Sequence, residues 1–203
     1  MAALRRVLPR LEADKSFLLL CDMQEKFAEV KGFSAIVKVA SRMLRAAHIM
    51  GIPAVATEQY PRGLGHSVPG LLLKEHSVPV FEKTCFSMIV GDVEKHLQTT
   101  APKAKSAILC GIEAHACIYH TTADLLEKGY DVHLIVDAIS ARNPVDREYA
   151  MRSLERAGAW LTTSEGAILN LLRDAKHPKF REVQKIIMDM APPSGLHWSE
   201  GGK

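Results

Sequence analysis

Several kinds of protein are excluded by what this chain of 203 residues does not contain. Its four cysteines, Cys21, Cys85, Cys110 and Cys117, form no C-x-x-C pair, which argues against a disulfide scaffold or a zinc ribbon. No apolar run reaches the roughly 18 residues that a membrane span needs. Charge is close to balanced, with 26 Lys and Arg against 23 Asp and Glu, so the net charge is only +3. There is no basic stripe, RNA-binding aromatic motif or zinc-finger spacing, so no nucleic-acid partner is expected. There is also no internal repeat, low-complexity block or linker. With 47% hydrophobic and 24% charged residues, the expectation is one globular domain over residues 1–203, with a core from about 16 to 175.

What is present alternates. "SFLLLC" (16–21), "PAVAT" (53–57), "SVPVFEK" (77–83), "SAILCG" (106–111), "DVHLIVD" (131–137) and "AWLTT" (159–163) read as strands. Between and after them lie helix-period segments at 33–51, 90–100, 115–129, 144–157, 164–173 and 177–190, with Asp92 a candidate cap for the second. Strand and helix in alternation predict an α/β fold. It is a three-layer, Rossmann-like arrangement, with a mostly parallel sheet of roughly six strands and helices on both faces. Three cysteines lie in or beside apolar runs, which suits free thiols in a reducing compartment, the cytoplasm by default. The N-terminal "MAALRRVLPRL", with three arginines and no acid before Glu12, reads as a basic tail, with a mitochondrial presequence as the alternative. The C-terminal end is a Pro/Gly-rich tail.

In open parallel sheets, ligands sit beyond the carboxyl ends of the strands. The residues closing the strands are therefore the ones to weigh: Asp22, the group Thr57-Glu58-Gln59-Tyr60, Lys83, the turn from Gly111 to Cys117, and Asp137. Singly, each has a plain structural reading. Asp22 would cap a turn, Lys83 would be a solvated cation, and Cys117 a small buried hydrophobe. Together they suit nucleophilic catalysis. A free thiol is only a few per cent thiolate at neutral pH, and a helix N-terminus and an ammonium group both favour the anion. A carboxylate opposes it as a bare charge, so its part would be proton transfer. The turn "GIEAHAC" offers backbone N–H groups ahead of a helix, suited to a developing oxyanion.

The segments "LLLCDMQEKF", "FEKTCFS" and "LLCGIEAHACIYHTTADLLEKGYDVHLIVDA" closely resemble the isochorismatase-like cysteine hydrolases, a family that includes nicotinamidases and related amidohydrolases. The match runs from about residue 16 to residue 170. The wording "CDMQEKF", "TEQYP", "KTCFSM" and "CGIEAHAC" looks most like the isochorismatase domain-containing subgroup. The resemblance implies a triad of Asp22, Lys83 and Cys117 and a non-proline cis peptide at Ile112–Glu113. It also implies oxyanion donors at the backbone N–H groups of Glu113 and Cys117, a pocket lined by Phe27 and Tyr60, and Gln24 in support of Asp22. The activity it implies is hydrolysis of a C–N amide bond in a small molecule, through a cysteine thioester and without a cofactor, in a homo-oligomer. A non-catalytic metabolite-binding or scaffold protein and a vinyl-ether hydrolase of the isochorismate type are the alternatives. Two departures bear on this. The nicotinamidase metal motif Asp-x-His has no match in "TEQYPRGLGHSVPG", which carries only Glu58 and His66. Cys117, which the vinyl-ether hydrolases lack, is present.

Other signals read as structural. "GLGHSVPG" (63–70) does not fit G-x-G-x-x-G and is taken as a surface loop. Glu113, His115, Cys117 and His120 match no standard zinc spacing. Cys85 is expected to pack, the alternative being a second thiol that resolves an oxidised Cys117. Cys21 and Cys110 are expected to be buried and inert.

Overall fold

The most apolar segments of the chain form the middle of a sheet. The computed structural model describes residues 10–193 and 195–196. Its strands are β1 (Ser16–Cys21), β2 (Ala54–Gln59), β3 (Val80–Lys83), β4 (Ser106–Ile112), β5 (Asp131–Ser140) and β6 (Trp160–Thr162). They lie in the order β3-β2-β1-β4-β5-β6, and every pairing is parallel. All residues of β1 and β4 are buried, whereas the edge strands β3 and β6 are mostly half-exposed or exposed. A central strand of a parallel sheet is covered on both faces, which is why these two read as unbroken apolar runs.

Seven helices accompany the sheet among the described residues: α1 (Phe33–Ile49), α2 (Pro61–Leu64), α3 (Gly91–Thr100), α4 (Cys117–Glu127), α5 (Pro144–Ala157), α6 (Ser164–Leu172) and α7 (Phe180–Met188). Side chains alternate across a strand, so each central strand feeds two cores. Leu18 and Leu20 of β1 join Ile108, Cys110 and Ile112 of β4 in a core shared with α1, α6 and α7. Phe17, Leu19 and Cys21 join Ala107 and Leu109 in a second core, shared with α3, α4 and α5. No helix among the described residues is long and apolar enough to cross a membrane.

Several expected boundaries move. β3 begins at Val80 rather than at 77, because Ser77 takes a positive φ of 53°. β5 continues past Asp137 to Ser140, pairing Ile139 with Gly111 and Ser140 with Ile112 beyond a register shift between Leu109 and Gly111. Asp137 therefore does not close its strand. Its carboxylate accepts from the Ser164 backbone N–H and hydroxyl at 2.8 and 2.7 Å, fastening the start of α6. Asp92 does not cap α3; Val90 stands at that position, and Asp92 lies in the first turn. Helix α4 starts at Cys117, not at His115. The basic segment 1–9 and residues 194 and 197–203 of the Pro/Gly-rich tail lie outside the described residues.

Candidate active site

The strand order reverses at β1, which has β2 on one side and β4 on the other. A crevice forms at such a switch point, beyond the strand ends. Asp22 stands there, fully buried and with a positive φ of 48°. Its Oδ1 accepts from the Thr57 hydroxyl at 2.7 Å, and its Oδ2 accepts from Lys83 Nζ at 2.7 Å. Thr57 comes from the end of β2 and Lys83 from the end of β3, so three neighbouring strands converge on one carboxylate.

Lys83 is the hub. Its side chain has no solvent exposure. Besides Asp22, Nζ faces Gln59 Oε1 at 2.7 Å, the carbonyls of Phe86 and Cys85 at 3.0 and 3.2 Å, and Cys117 Sγ at 3.6 Å. Burial alone would lower its pKa. The acidic groups of Cys21, Asp22 and Cys117, with the Asp22 hydrogen bond, outweigh that and hold it above the ordinary 10.5. The ammonium therefore stays charged although its side chain is fully buried.

The third element is the turn after β4. Gly111 pairs with Cys21, and its φ is 130°. A Cβ there would stand 2.7 Å from Cys21 Cβ and collide with the Cys21 carbonyl oxygen, so only glycine permits this approach. The Ile112–Glu113 peptide is cis. Ile112 is buried, and the Ala114 N–H donates to the Ser140 carbonyl at 2.9 Å, tying the turn to the far end of β5. Cys117 is the first residue of α4, so its N–H has no helical partner a turn earlier and points out of the helix start. The Glu113 side chain is turned to Arg142, accepting from that residue's backbone N–H at 2.8 Å and its Nε at 3.3 Å.

Cys117, 6% exposed, forms part of the wall of a cavity of about 630 Å³. Phe27, Gln59, Leu64, Phe86 and Ala116 line the same space, with Lys26, Glu29, Glu113 and Arg142 supplying charges. Of the expected pocket residues, Phe27 is in this wall. Tyr60 is not among the lining residues; it is 55% exposed, and its ring packs over Gly63. Gln24 is buried, but its amide does not reach the Asp22 carboxylate. It donates to the Gln59 and Gly65 carbonyls at 2.9 and 2.7 Å and accepts from the Gln59 N–H at 2.7 Å. Gln24 thus braces Gln59, which in turn holds Lys83. Thr57 and Gln59 touch the cluster directly, yet neither carried a role in the sequence reading; their place at the end of β2 was the signal available.

Cys85 does not pack. It is exposed, with its thiol directed at the Ser87 carbonyl at 3.5 Å. Among the described residues, the metal-capable atoms that lie within 4.8 Å of one another are those of Cys21, Asp22 and Cys117, so Glu113, His115 and His120 do not converge with Cys117 on a metal. The nicotinamidase-type metal does not fit the residues after β2 either. Glu58 is buried with its oxygens engaged by the Ser67 N–H at 2.6 Å and by His66 Nδ1 at 3.0 Å.

The family model for the isochorismatase domain matches residues 16–166. This chain belongs to the isochorismatase-like hydrolase family. It is 52% identical over 197 residues to isochorismatase domain-containing protein 2 of Xenopus laevis, covering 97% of this chain and 94% of that protein. Among solved structures, the MAR1 ribonuclease of Caenorhabditis elegans is 48% identical with a TM-score of 0.87, covering 93% of this chain and 97% of that one. The Escherichia coli YcaC gene product, described as an octameric hydrolase of unknown specificity, shares the fold at 22% identity and a TM-score of 0.73, over 91% and 99% of the two chains.

Proposed function

We propose that the protein hydrolyses a C–N amide bond of a small molecule through a thioester on Cys117, with Asp22 and Lys83 as its catalytic partners. The observation that carries this reading is the position of Lys83 Nζ, 2.7 Å from Asp22 and 3.6 Å from Cys117 Sγ, where the sulfur borders the cavity. In this mechanism Asp22 takes the thiol proton while the Lys83 ammonium stabilises the thiolate. The sulfur attacks the substrate carbonyl, and the backbone N–H groups of Glu113 and Cys117 receive the oxyanion. Asp22 returns the proton to the departing amine, and water then releases the acid. Phe27 would pack against the substrate, Ile112 would hold the turn in place, and Gln24 would act through Gln59. The reading includes a homo-oligomer, as the octameric E. coli relative suggests, and a reducing compartment such as the cytoplasm, which suits four free thiols.

A panel of small amides, scored by release of ammonia or amine from wild type and from Cys117→Ala, tests the proposal. Turnover of at least one amide that is lost with Cys117 is the expected result. A short RNA and a vinyl ether belong in the same panel. Cleavage of either in place of every amide, or activity that survives Cys117→Ala while failing in Asp22→Ala, would overturn the amide reading.

A further inference from the structure

The proposed hydrolysis leaves a second thiol at the site without a task. Cys21 closes β1 with its side chain in the same core as Cys117. Its Sγ, Cys117 Sγ and an Asp22 carboxylate oxygen all lie within 4.8 Å of one another, and its thiol donates to Asp22 Oδ2 at 3.5 Å. Glycine at position 111 is what lets the β4 turn press this closely on Cys21.

Two thiols and a carboxylate resemble a site for a soft divalent metal. The Lys83 ammonium argues against that ligand, because it already sits 2.7 Å from Asp22 Oδ2 and 3.6 Å from Cys117 Sγ and would repel a second cation. The same arrangement suits thiol oxidation, which needs a stabilised thiolate, a nearby second thiol and a base. We infer that Cys21 is the resolving thiol for an oxidised Cys117, so that the site passes reversibly into a Cys21–Cys117 disulfide on exposure to a hydroperoxide. This rests on the activated Cys117 of the proposed function.

The Cys117 thiolate attacks the distal peroxide oxygen; the S–O bond forms, the O–O bond breaks, and the alkoxide or hydroxide released takes up a proton. Cys21 then passes its proton to Asp22 and attacks the Cys117 sulfur. The S–S bond forms, the S–O bond breaks, and the departing hydroxide recovers the proton as water. Two thiols are oxidised, and one peroxide is reduced to an alcohol and water, or to two waters if it is hydrogen peroxide. Burial first, then the hydrogen bond with Cys117 and the Asp22 charge, push the Cys21 thiol well above its ordinary pKa. Cys21 thus remains a thiol at rest and gains a role only once Cys117 has become an electrophile. Disulfide formation would silence the nucleophile and keep it from irreversible oxidation. Cys85 is the competing partner, but its exposed thiol is directed at Ser87.

The test is peptide mapping without reduction, on the full chain treated with hydrogen peroxide and quenched by alkylation. The expected product in wild type is a linked pair of peptides carrying Cys21 and Cys117, reversed by dithiothreitol. Cys85→Ala should behave identically. Cys21→Ala should instead carry Cys117 to the sulfinic acid at least about tenfold faster than wild type does. A Cys85–Cys117 link, a link between two copies, or sulfinic Cys117 forming equally fast with and without Cys21 would overturn the inference while leaving the hydrolase reading intact. A Cys117 untouched by excess peroxide would overturn both. The wild-type map needs no variant to fold, so it decides even if Cys21→Ala does not fold.

Discussion

A buried lysine keeps its charge only where its neighbours supply more than burial removes, and Lys83 meets that condition through Cys21, Asp22 and Cys117, with Asp22 its ion-pair partner at 2.7 Å. The two charges depend on each other. Removing one partner of a buried ion pair typically costs about 3–5 kcal/mol, while replacing both can be nearly neutral. Lys83→Met should therefore lower stability in urea by several kcal/mol, and adding Asp22→Asn to it should restore most of that loss, with no amide turnover expected from either variant. Alkylation of Cys117 at neutral pH should slow by at least about tenfold in Lys83→Met, because the ammonium no longer stabilises the thiolate. Equal alkylation rates in the two proteins would contradict the role given to Lys83. Thr57 acts through Asp22. Thr57→Val leaves Oδ1 without its 2.7 Å hydrogen bond, and the expected result is a fall in kcat of about tenfold with little change in KM. Rescue by Thr57→Ser would separate this positioning role from packing.

At the scale of elements, the six strands were legible as short apolar runs, whereas their order in the sheet came only with the structure. "SFLLLC" and "SAILCG" are apolar after their first serine, as suits strands covered on both faces. The irregular parts were not legible. Nothing in "DVHLIVDAIS" marks the register shift that carries β5 on to Ser140, so Asp137 was misplaced at a strand end. That stretch of β5 is held by Arg147 from α5, whose Nε donates to the Ile139 carbonyl at 2.8 Å, a single side-chain contact that leaves no periodic pattern in the sequence. Asp22, Lys83 and Cys117 were singled out because each ends or follows a strand or starts a helix, and because the family resemblance falls on all three. Gln24 and Gln59 show the limit, since hydrogen bonds between a loop and a strand end have no periodicity to read. The β4 turn gives the prediction at this scale. Gly111→Ala sets a Cβ against Cys21 at a φ that L residues rarely adopt, and it should cost at least ~3 kcal/mol in urea unfolding. A loss below about 1 kcal/mol would mean that the turn does not need its close approach to β1.

The molecule as a whole should be sensitive to mild acid for a reason remote from the cavity. His133 on β5 is 3% exposed with no partner for Nε2, and burial lowers its pKa from an ordinary 6.5 to about 4, against a weaker opposing pull from Asp131. Between those values the unfolded chain binds the proton that the folded chain refuses. The stability that depends on a neutral His133 is complete above pH 6.5 and falls away towards pH 4, by about 3 kcal/mol over that window. The stability difference between wild type and His133→Gln in urea should shift against wild type as pH falls from 7 to 4.5; a constant difference would exclude this role for His133. A thioester on the sulfur of Cys117 would be seen by intact-protein mass spectrometry. Wild type and Cys117→Ala are each mixed with reactive small amides and quenched in acid within the first turnover. The expected result is an added acyl mass in wild type alone, carried on the peptide that contains Cys117 and removed on standing in water. Amide turnover with no acyl mass on that peptide, or the same mass on Cys117→Ala, would contradict it.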